Sequence, residues 1–346
     1  AALGINLALE ILLRTSPLPS VCGRVCPGFC MLECNRSQLE GPVNVRALER
    51  YAGDHGEVQI EVAESRPERV AVVGSGPAGL SAAWHLGRLG YSISLYEADN
   101  ELGGLMRTGI PTYRLPREAL DRDIARVLGL GVRTIMNTRV DHDMLTTLTR
   151  DYDAVLAATG LQRLTSIDLG LDMNRVMQGL EFLDQARADS VRVDGEEVVV
   201  VGGGNTAIDA ARSAFRLGAH NVRIIYRRTS DEMPAIPEEV DDAMDEGIRI
   251  DFLCSPIRIV RSGKKRMLSC QRMLLADSDE SGRRRPVAIP DSEFEIPCDR
   301  VILALGQAAD LSLLPDGSVL SRNQPLNGDG RAPVYAAGDL LTNEGT

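Results

Sequence analysis

Residues 69–80 read RVAVVGSGPAGL, from Arg69 to Leu80. Val70, Ala71, Val72 and Val73 form an apolar run without polar alternation, which predicts a strand buried on both faces of a parallel sheet. The run meets Gly74-Ser75-Gly76-Pro77-Ala78-Gly79, and a helical pattern continues from Leu80 to Leu86. In such a turn Gly74 permits the tight bend, Gly76 lets the backbone approach a pyrophosphate, and Gly79 lets the helix pack close to the strand. The unpaired N–H groups and partial positive charge of the helix N-terminus then face the phosphates. A second strand, Ser92–Tyr96, ends at Glu97, 23 residues after Gly74, where a ribose-binding carboxylate belongs. The alternative is an ordinary glycine-rich βα turn; the acid at the end of the second strand favours dinucleotide binding.

Working outward, the pattern recurs. Val198-Val199-Val200-Val201 is a second fully apolar run, and it leads into Gly202-Gly203-Gly204-Asn205-Thr206-Ala207. A helix is expected over Ile208–Leu217, with Gly218 as its C-cap. The following strand, Val222–Tyr226, ends on Arg227 and Arg228 where the first unit has an acid. A carboxylate accepts hydrogen bonds from a ribose diol and repels a 2′-phosphate, so Glu97 suits FAD or NAD(H). A guanidinium pairs with a 2′-phosphate, so the second unit is expected to take NADPH. NADH is the alternative if both arginines are merely solvated.

The strand Asp153–Ala158 ends in a Thr159-Gly160 turn before the second fingerprint, and a strand from Val334 ends on Gly338-Asp339 after it. Two nested Rossmann-like domains are therefore expected in this α/β chain, in preference to one large doubly wound sheet. The expected boundaries are 66–162 with 301–346 for the first dinucleotide-binding domain and 163–300 for the second, preceded by a small helical Cys-rich domain and linker over 1–65. Within the second, residues 248–300 alternate as a small antiparallel sheet would, with strands at Arg249–Leu253, Pro256–Val260 and Met267–Leu274. The charged stretch Ser278–Arg285 reads as a solvated hairpin tip.

A chain of 346 residues holds more than one core, and its net charge of −11 disfavours nucleic acid or an anionic membrane as partner. No apolar run approaches the roughly 20 residues that span a bilayer. Ala1–Leu13 is apolar but lacks the basic start and cleavage pattern of a signal peptide, and a cytoplasmic location is expected. The chain opens inside an amphipathic pattern and stops at Gly345-Thr346, after a motif that normally leads into a helix. It reads as part of a longer protein, with ligands or partners outside it.

Four of the seven cysteines, Cys22, Cys26, Cys30 and Cys34, fall within thirteen residues, in VCGRVCPGFCMLECNR. Such clustering favours a metal over disulfides. The x3 spacing differs from that of common zinc ribbons and bacterial ferredoxins and by itself leaves zinc open. The region around it is small and irregular, and is expected to need a metal centre to hold it.

These motifs occur in a fixed order: CGRVCPGFCMLECNR, EGPVNVRALER, VAVVGSGPAGLSAA, ELGGLMRTGIPTYRLP, VLAATG, VVVVGGGNTAIDAAR, IIYRRTSDEMPA, ILALGQ and VYAAGD. Together they resemble the glutamate synthase small-subunit-like family of FAD and iron–sulfur NAD(P)H oxidoreductases. That family is similar to the N-terminal part of dihydropyrimidine dehydrogenase and to flavin subunits of multi-subunit redox complexes. The resemblance implies FAD on the first unit, with Gly74, Gly76, Pro77, Ala78 and Gly79 at its pyrophosphate and Glu97 at its ribose. Gly103 and Gly104 would lie along it with the Thr159-Gly160 and Gly338 turns, Asp339 would reach the ribityl or phosphate, and Thr346 would sit near the ring. Gly202, Gly204, Asn205, Thr206, Arg227 and Arg228 would hold the nicotinamide coenzyme. Cys26 and Cys30 would serve one [4Fe-4S] cluster and Cys34 another, completed by cysteines upstream of residue 1. Cys22 is a further candidate ligand or a neighbouring thiol, and Glu49 stands where some relatives supply a non-cysteine ligand.

The expectation is an FAD-dependent NAD(P)H oxidoreductase subunit that passes electrons through iron–sulfur centres to or from a partner catalytic or acceptor subunit. No residue reads as a substrate acid or base. A disulfide reductase needs two thiols close in sequence facing the flavin, and no CxxC lies in either nucleotide unit. A non-enzymatic assembly subunit would have no use for two intact glycine-rich turns beside a cysteine cluster.

Overall fold

The computed structural model describes residues 2–170, 173–263, 265–278, 283–315, 318, 320–321, 324–326 and 332–342. In chain order, the helices α1 (Ala2–Leu12), α2 (Pro19–Val25), α3 (Phe29–Leu32) and α4 (Val45–His55) come first. Then follow β1 (Arg69–Val73), α5 (Pro77–Arg88), β2 (Ser92–Tyr96), α6 (Leu105–Thr108), α7 (Arg117–Leu128), β3 (Arg133–Ile135), α8 (His142–Asp151) and β4 (Ala154–Ala157). After β5 (Leu161–Leu164) come β6 (Val176–Gln178), α9 (Gly179–Arg187), β7 (Glu197–Val201), α10 (Asn205–Arg216), β8 (Asn221–Tyr226), α11 (Pro237–Asp245) and β9 (Arg249–Phe252). The antiparallel strands β10 (Cys254–Ser262), β11 (Lys265–Ser278) and β12 (Arg284–Pro297) precede β13 (Arg300–Leu303), β14 (Gln307–Ala309), β15 (Val334–Ala336) and α12 (Asp339–Thr342).

The chain divides into two units. The first comprises the described residues up to Arg107, Thr112–Arg163, and those from Ala308 onward. Its sheet is parallel throughout, in the order β15-β4-β1-β2-β3. The order reverses between β1 and β4, and the carboxyl ends of strands beside such a switch point are where ligands bind. Ala71, Val73, Val155 and Val334 join Leu145, Leu148 and Leu340 in one core cluster, while Val72, Leu80, Ala83 and Trp84 are also fully buried. Apolar residues on both strand faces are what a sheet covered on both sides requires.

The second unit is built around β6-β13-β7-β8-β9, again all parallel. Alternate residues of β7 serve different cores. Val198 and Val200 pack with Phe182, Ile208, Ala211 and Ile224 of the helical side. Val199 and Val201 pack with Ile259, Leu268 and Ile296 of the antiparallel sheet β10-β11-β12. Cys254, Cys270 and Cys298 stand in this second cluster, and burial pushes their thiols up to about 11, 12 and 11.

Two expectations are corrected here. Val301 pairs with Val199 and Val176, so residues 300–303 complete the second sheet, and the first unit resumes at Ala308 instead of 301. Arg249–Phe252 pairs in parallel with β8 and is the edge of the parallel sheet, whereas the antiparallel sheet begins at Cys254. Among the described residues no helix is long and apolar enough to cross a membrane.

The N-terminal helices belong to the first unit and are anchored in it by polar contacts. Trp84 Nε1 on α5 donates to the Leu13 carbonyl at 3.1 Å. The Asp123 carboxylate on α7 accepts the Val21 N–H of α2 at 2.9 Å. Asp54 on α4 receives both terminal nitrogens of Arg24 on α2 and one of Arg122 on α7.

Candidate functional site

In the first unit the turn after β1 is made by close approach of backbones. A Cβ on Gly79 would lie 1.8 Å from the Gly74 carbonyl oxygen, and one on Gly74 would lie 2.5 Å from the Ala158 carbonyl oxygen after β4. A Cβ on Gly104 would meet Gly76 Cα at 2.9 Å, and one on Gly338 would meet the Ala78 methyl at 2.7 Å. The turns after β1, β4 and β15 and the Gly103-Gly104 bend are thus gathered at the N-terminus of α5. At Gly76 nothing stands within 4 Å of the Cβ position, so the backbone there faces open space. Pro77 opens α5 with its fixed φ, and the amides of its first turn point outward without intrahelical acceptors. Beside them the Thr159 hydroxyl is buried and lacks a hydrogen-bond partner. An open cradle of backbone amides with an orphaned buried hydroxyl fits a pyrophosphate-bearing nucleotide.

Glu97 is buried, and it is not idle. Its Oε2 accepts the Ser75 N–H at 2.9 Å and the Ser75 hydroxyl, while Oε1 accepts the Asp99 N–H at 3.0 Å. The Ser75 oxygen in turn accepts the Gly103 N–H at 3.0 Å. The acid therefore splints the two glycine-rich turns together through Ser75, a residue that the pattern of glycines alone does not single out. A carboxylate has about four acceptor positions, so capacity remains for a ribose hydroxyl. Asp339 is the first residue of α12, directly after Gly338 with its positive φ of 66°. Gly160 also has positive φ, 67°. Thr346 lies outside the described residues.

The second fingerprint repeats this construction. A Cβ on Gly202 would lie 2.2 Å from the Ala304 carbonyl oxygen, and one on Gly203 would strike the Tyr226 ring at 2.6 Å. Gly204 has open space, as Gly76 does, and the Thr206 methyl packs at α9, 3.1 Å from a Cβ position on Gly179. Asn205 opens α10, and its Oδ1 accepts the Ile236 N–H at 2.9 Å, tying the segment after β8 back to the turn. The paired arginines separate. Arg227 is exposed, whereas Arg228 is buried with Nε donating to the Arg284 carbonyl at 2.8 Å.

In the cysteine segment, Cys26 ends α2, and Gly28, with φ of 72°, turns its N–H toward the Cys26 sulfur at 3.4 Å. Cys30 is exposed on α3, and Cys34 follows that helix. Backbone N–H groups of Val43 and Arg36 hold the Cys34 thiol below its ordinary range. Cys22 differs. Burial, and then the nearby Glu49 carboxylate, push it up to about 11. Burial also raises Glu49, whose Oε1 accepts the Ser16 hydroxyl at 2.8 Å. Among the described residues no three Cys, His, Asp or Glu side chains converge on one ion. A donor set spread along the segment, with N–H groups directed at two of its sulfurs, fits thiolate ligation of clusters shared with ligands from elsewhere better than one closed tetrahedral site.

Residues 68–345 match the family described as pyridine nucleotide-disulphide oxidoreductase, and residues 2–60 match dihydropyrimidine dehydrogenase domain II, 4Fe-4S cluster. The chain is 42% identical over 325 residues to the NADPH-Fe(3+) oxidoreductase subunit beta of Geobacter sulfurreducens, covering 89% of this chain and 48% of that one. It is 40% identical over 344 residues to the NADP(+)-dependent formate dehydrogenase subunit beta of Moorella thermoacetica, covering 90% and 48%. With the glutamate synthase [NADPH] small chain of Halomonas elongata the identity is 33% over 318 residues, covering 86% and 67%. The chain thus spans about half the length of the first two of these curated relatives. In fold it is similar to Mycobacterium tuberculosis FprA in complex with NADPH, with a TM-score of 0.66, 20% identity, and coverage of 81% of this chain and 80% of that one.

Proposed function

The chain belongs to the pyridine nucleotide-disulphide oxidoreductase family, in the group that includes the glutamate synthase small chains, and from that premise we propose that it is an electron-transfer module linking NADPH, FAD and iron–sulfur clusters. The observation that carries the reading is the pair of open glycine cradles, each at the switch point of its own parallel sheet, with the cysteine segment anchored in the same unit as the first. Gly74, Gly76, Pro77, Ala78 and Gly79 hold the FAD pyrophosphate, and Glu97 takes the adenosine ribose. Gly103, Gly104, Thr159, Gly160, Gly338 and Asp339 line the rest of that path. FAD held there would supply the chemistry a relay needs, exchange of a hydride's electron pair on one side and of single electrons on the other.

Gly202, Gly204 and Thr206 cradle the coenzyme phosphates, and Arg227 meets the 2′-phosphate. Asn205 and Arg228 shape that site through the protein bonds described above. Cys26 and Cys30 ligate one [4Fe-4S] cluster and Cys34 a second, with the remaining ligands supplied from outside these residues. Cys22, half-buried, and Glu49 lie beside the first cluster as neighbours. The substrate chemistry belongs to a partner subunit; the names of these relatives, each a beta subunit or small chain, support a partner for those proteins. The complex works in the cytoplasm. Replacing Cys26 or Cys30 by Ser tests the assignment. Loss of iron and acid-labile sulfide with retained flavin is expected, and iron unchanged, or zinc in its place, contradicts it.

A further inference from the structure

The segment after β8 carries the cations of the second site, and it is held from several directions. Tyr226 Oη donates to the Glu232 carbonyl at 2.7 Å, and the Ala235 N–H donates to the Gly203 carbonyl at 3.1 Å. Thr229 and Glu232 form a capping box, in which the Thr229 N–H reaches Glu232 Oε2 at 3.2 Å. A further tie comes from far along the chain. Strands β11 and β12 outrun β10, whose pairing ends at Arg272, and continue as a two-stranded ribbon to the Ser278–Arg284 pair. There Arg284 Nε donates to Glu232 Oε1, and the Arg284 carbonyl accepts Arg228 Nε.

These bonds sort the arginines by availability. Arg228 is 5% exposed and committed to the ribbon. Arg284 neutralises Glu232, whose side chain is only 9% exposed. Arg227 is exposed and has no partner among the described residues. A guanidinium reads a phosphate as a planar donor fork, so both its orientation and the charge beside it matter. We propose that Arg284 is a positioning residue for coenzyme selectivity: from the antiparallel ribbon it fixes residues 227–232 and masks the Glu232 carboxylate, leaving Arg227 to meet the adenosine 2′-phosphate. The proposal rests on NADPH as the coenzyme of the second fingerprint. Without Arg284, the Glu232 carboxylate stands uncompensated beside a dianionic group, and the segment loses its outer tie.

The test is binding of 2′,5′-ADP and of 5′-ADP to the full protein by calorimetry, with KM and kcat for NADPH alongside. Arg284→Ala is expected to weaken 2′,5′-ADP about tenfold, the scale of one partly screened charge, and to leave 5′-ADP unchanged. KM for NADPH rises and kcat stays. Because Gln is also accepted at that position of a capping box, Glu232→Gln in the Arg284→Ala background removes the uncovered charge and restores much of the loss. A purely structural role gives no such rescue. Equal weakening of both ligands, or no change in either while Arg227→Ala remains selective, overturns the role of Arg284 alone. An Arg227→Ala variant without selective loss overturns the NADPH assignment and this proposal with it. If Arg284→Ala does not fold, Arg284→Gln measured with the same two ligands decides between the same outcomes.

Discussion

A Cβ at Gly79 would overlap the Gly74 carbonyl oxygen at 1.8 Å, a contact with backbone that no rotamer change relieves. Gly79→Ala is therefore expected to force α5 away from β1, to cost on the order of 1–3 kcal/mol or more, and to leave the purified protein with little flavin. Normal flavin content in that variant contradicts the placement of the cradle. At this scale the sequence was most informative where backbone geometry demands glycine, as at Gly74, Gly79 and Gly202. It was least informative about side chains that bond to distant residues. Glu97 was legible as an acid at a strand end, but its hold on Ser75 and Asp99 was not. Asn205 and Arg228 read as ligand contacts because they sit in the right motif. Their bonds to Ile236 and Arg284 depend on segments 31 and 56 residues away, whose positions no local pattern encodes.

Among the elements, the crossing of α2 and α4 carries the cysteine segment. Gly23 and Gly53 let the two helices touch backbone to backbone: a Cβ on Gly23 would lie 2.4 Å from Arg50 N, and one on Gly53 would lie 2.7 Å from Ser20 N. Gly23→Ala is expected to splay the pair, so that iron and labile sulfide fall while flavin content holds. Parallel loss of both cofactors contradicts this separation. The same α2 is capped by Asp123 of α7. Burial raises that carboxyl to about 6 from an ordinary 3.8, against the opposing pull of the Val21 N–H and of Arg126. The folded carboxyl keeps its proton to higher pH than the unfolded one. Its contribution to stability is thus fully present below about 3.8 and is lost as pH rises through about 6. Asp123→Asn is expected to flatten the fall of Tm across that window, and an unchanged slope contradicts it. The ties of this region to the rest of the unit, at the Leu13 carbonyl, the Val21 N–H and the Asp54 carboxylate, are backbone groups and a side chain whose partners no local periodicity reveals. The edge strand Arg249–Phe252 is ambiguous in the sequence for a related reason: its short polar alternation suits either sheet, and only pairing with β8 decides.

At the scale of the molecule, two fingerprints in one chain made the nested arrangement legible, because each begins its own βαβ unit. The return to the first sheet is unmarked in the sequence, since β13, Arg300 followed by Val301, Ile302 and Leu303, has an apolar run that would suit either sheet, and only its pairing with β7 and β6 shows which it joins. The central claim is that nicotinamide, flavin and clusters are connected in one relay. Anaerobic titration of the purified full protein with NADPH and, separately, NADH, followed by absorbance and EPR, tests it most directly. Bleaching of the flavin at lower NADPH than NADH concentration, with growth of a reduced iron–sulfur signal, is the predicted result. A protein that purifies without flavin, or whose flavin neither coenzyme reduces, contradicts it.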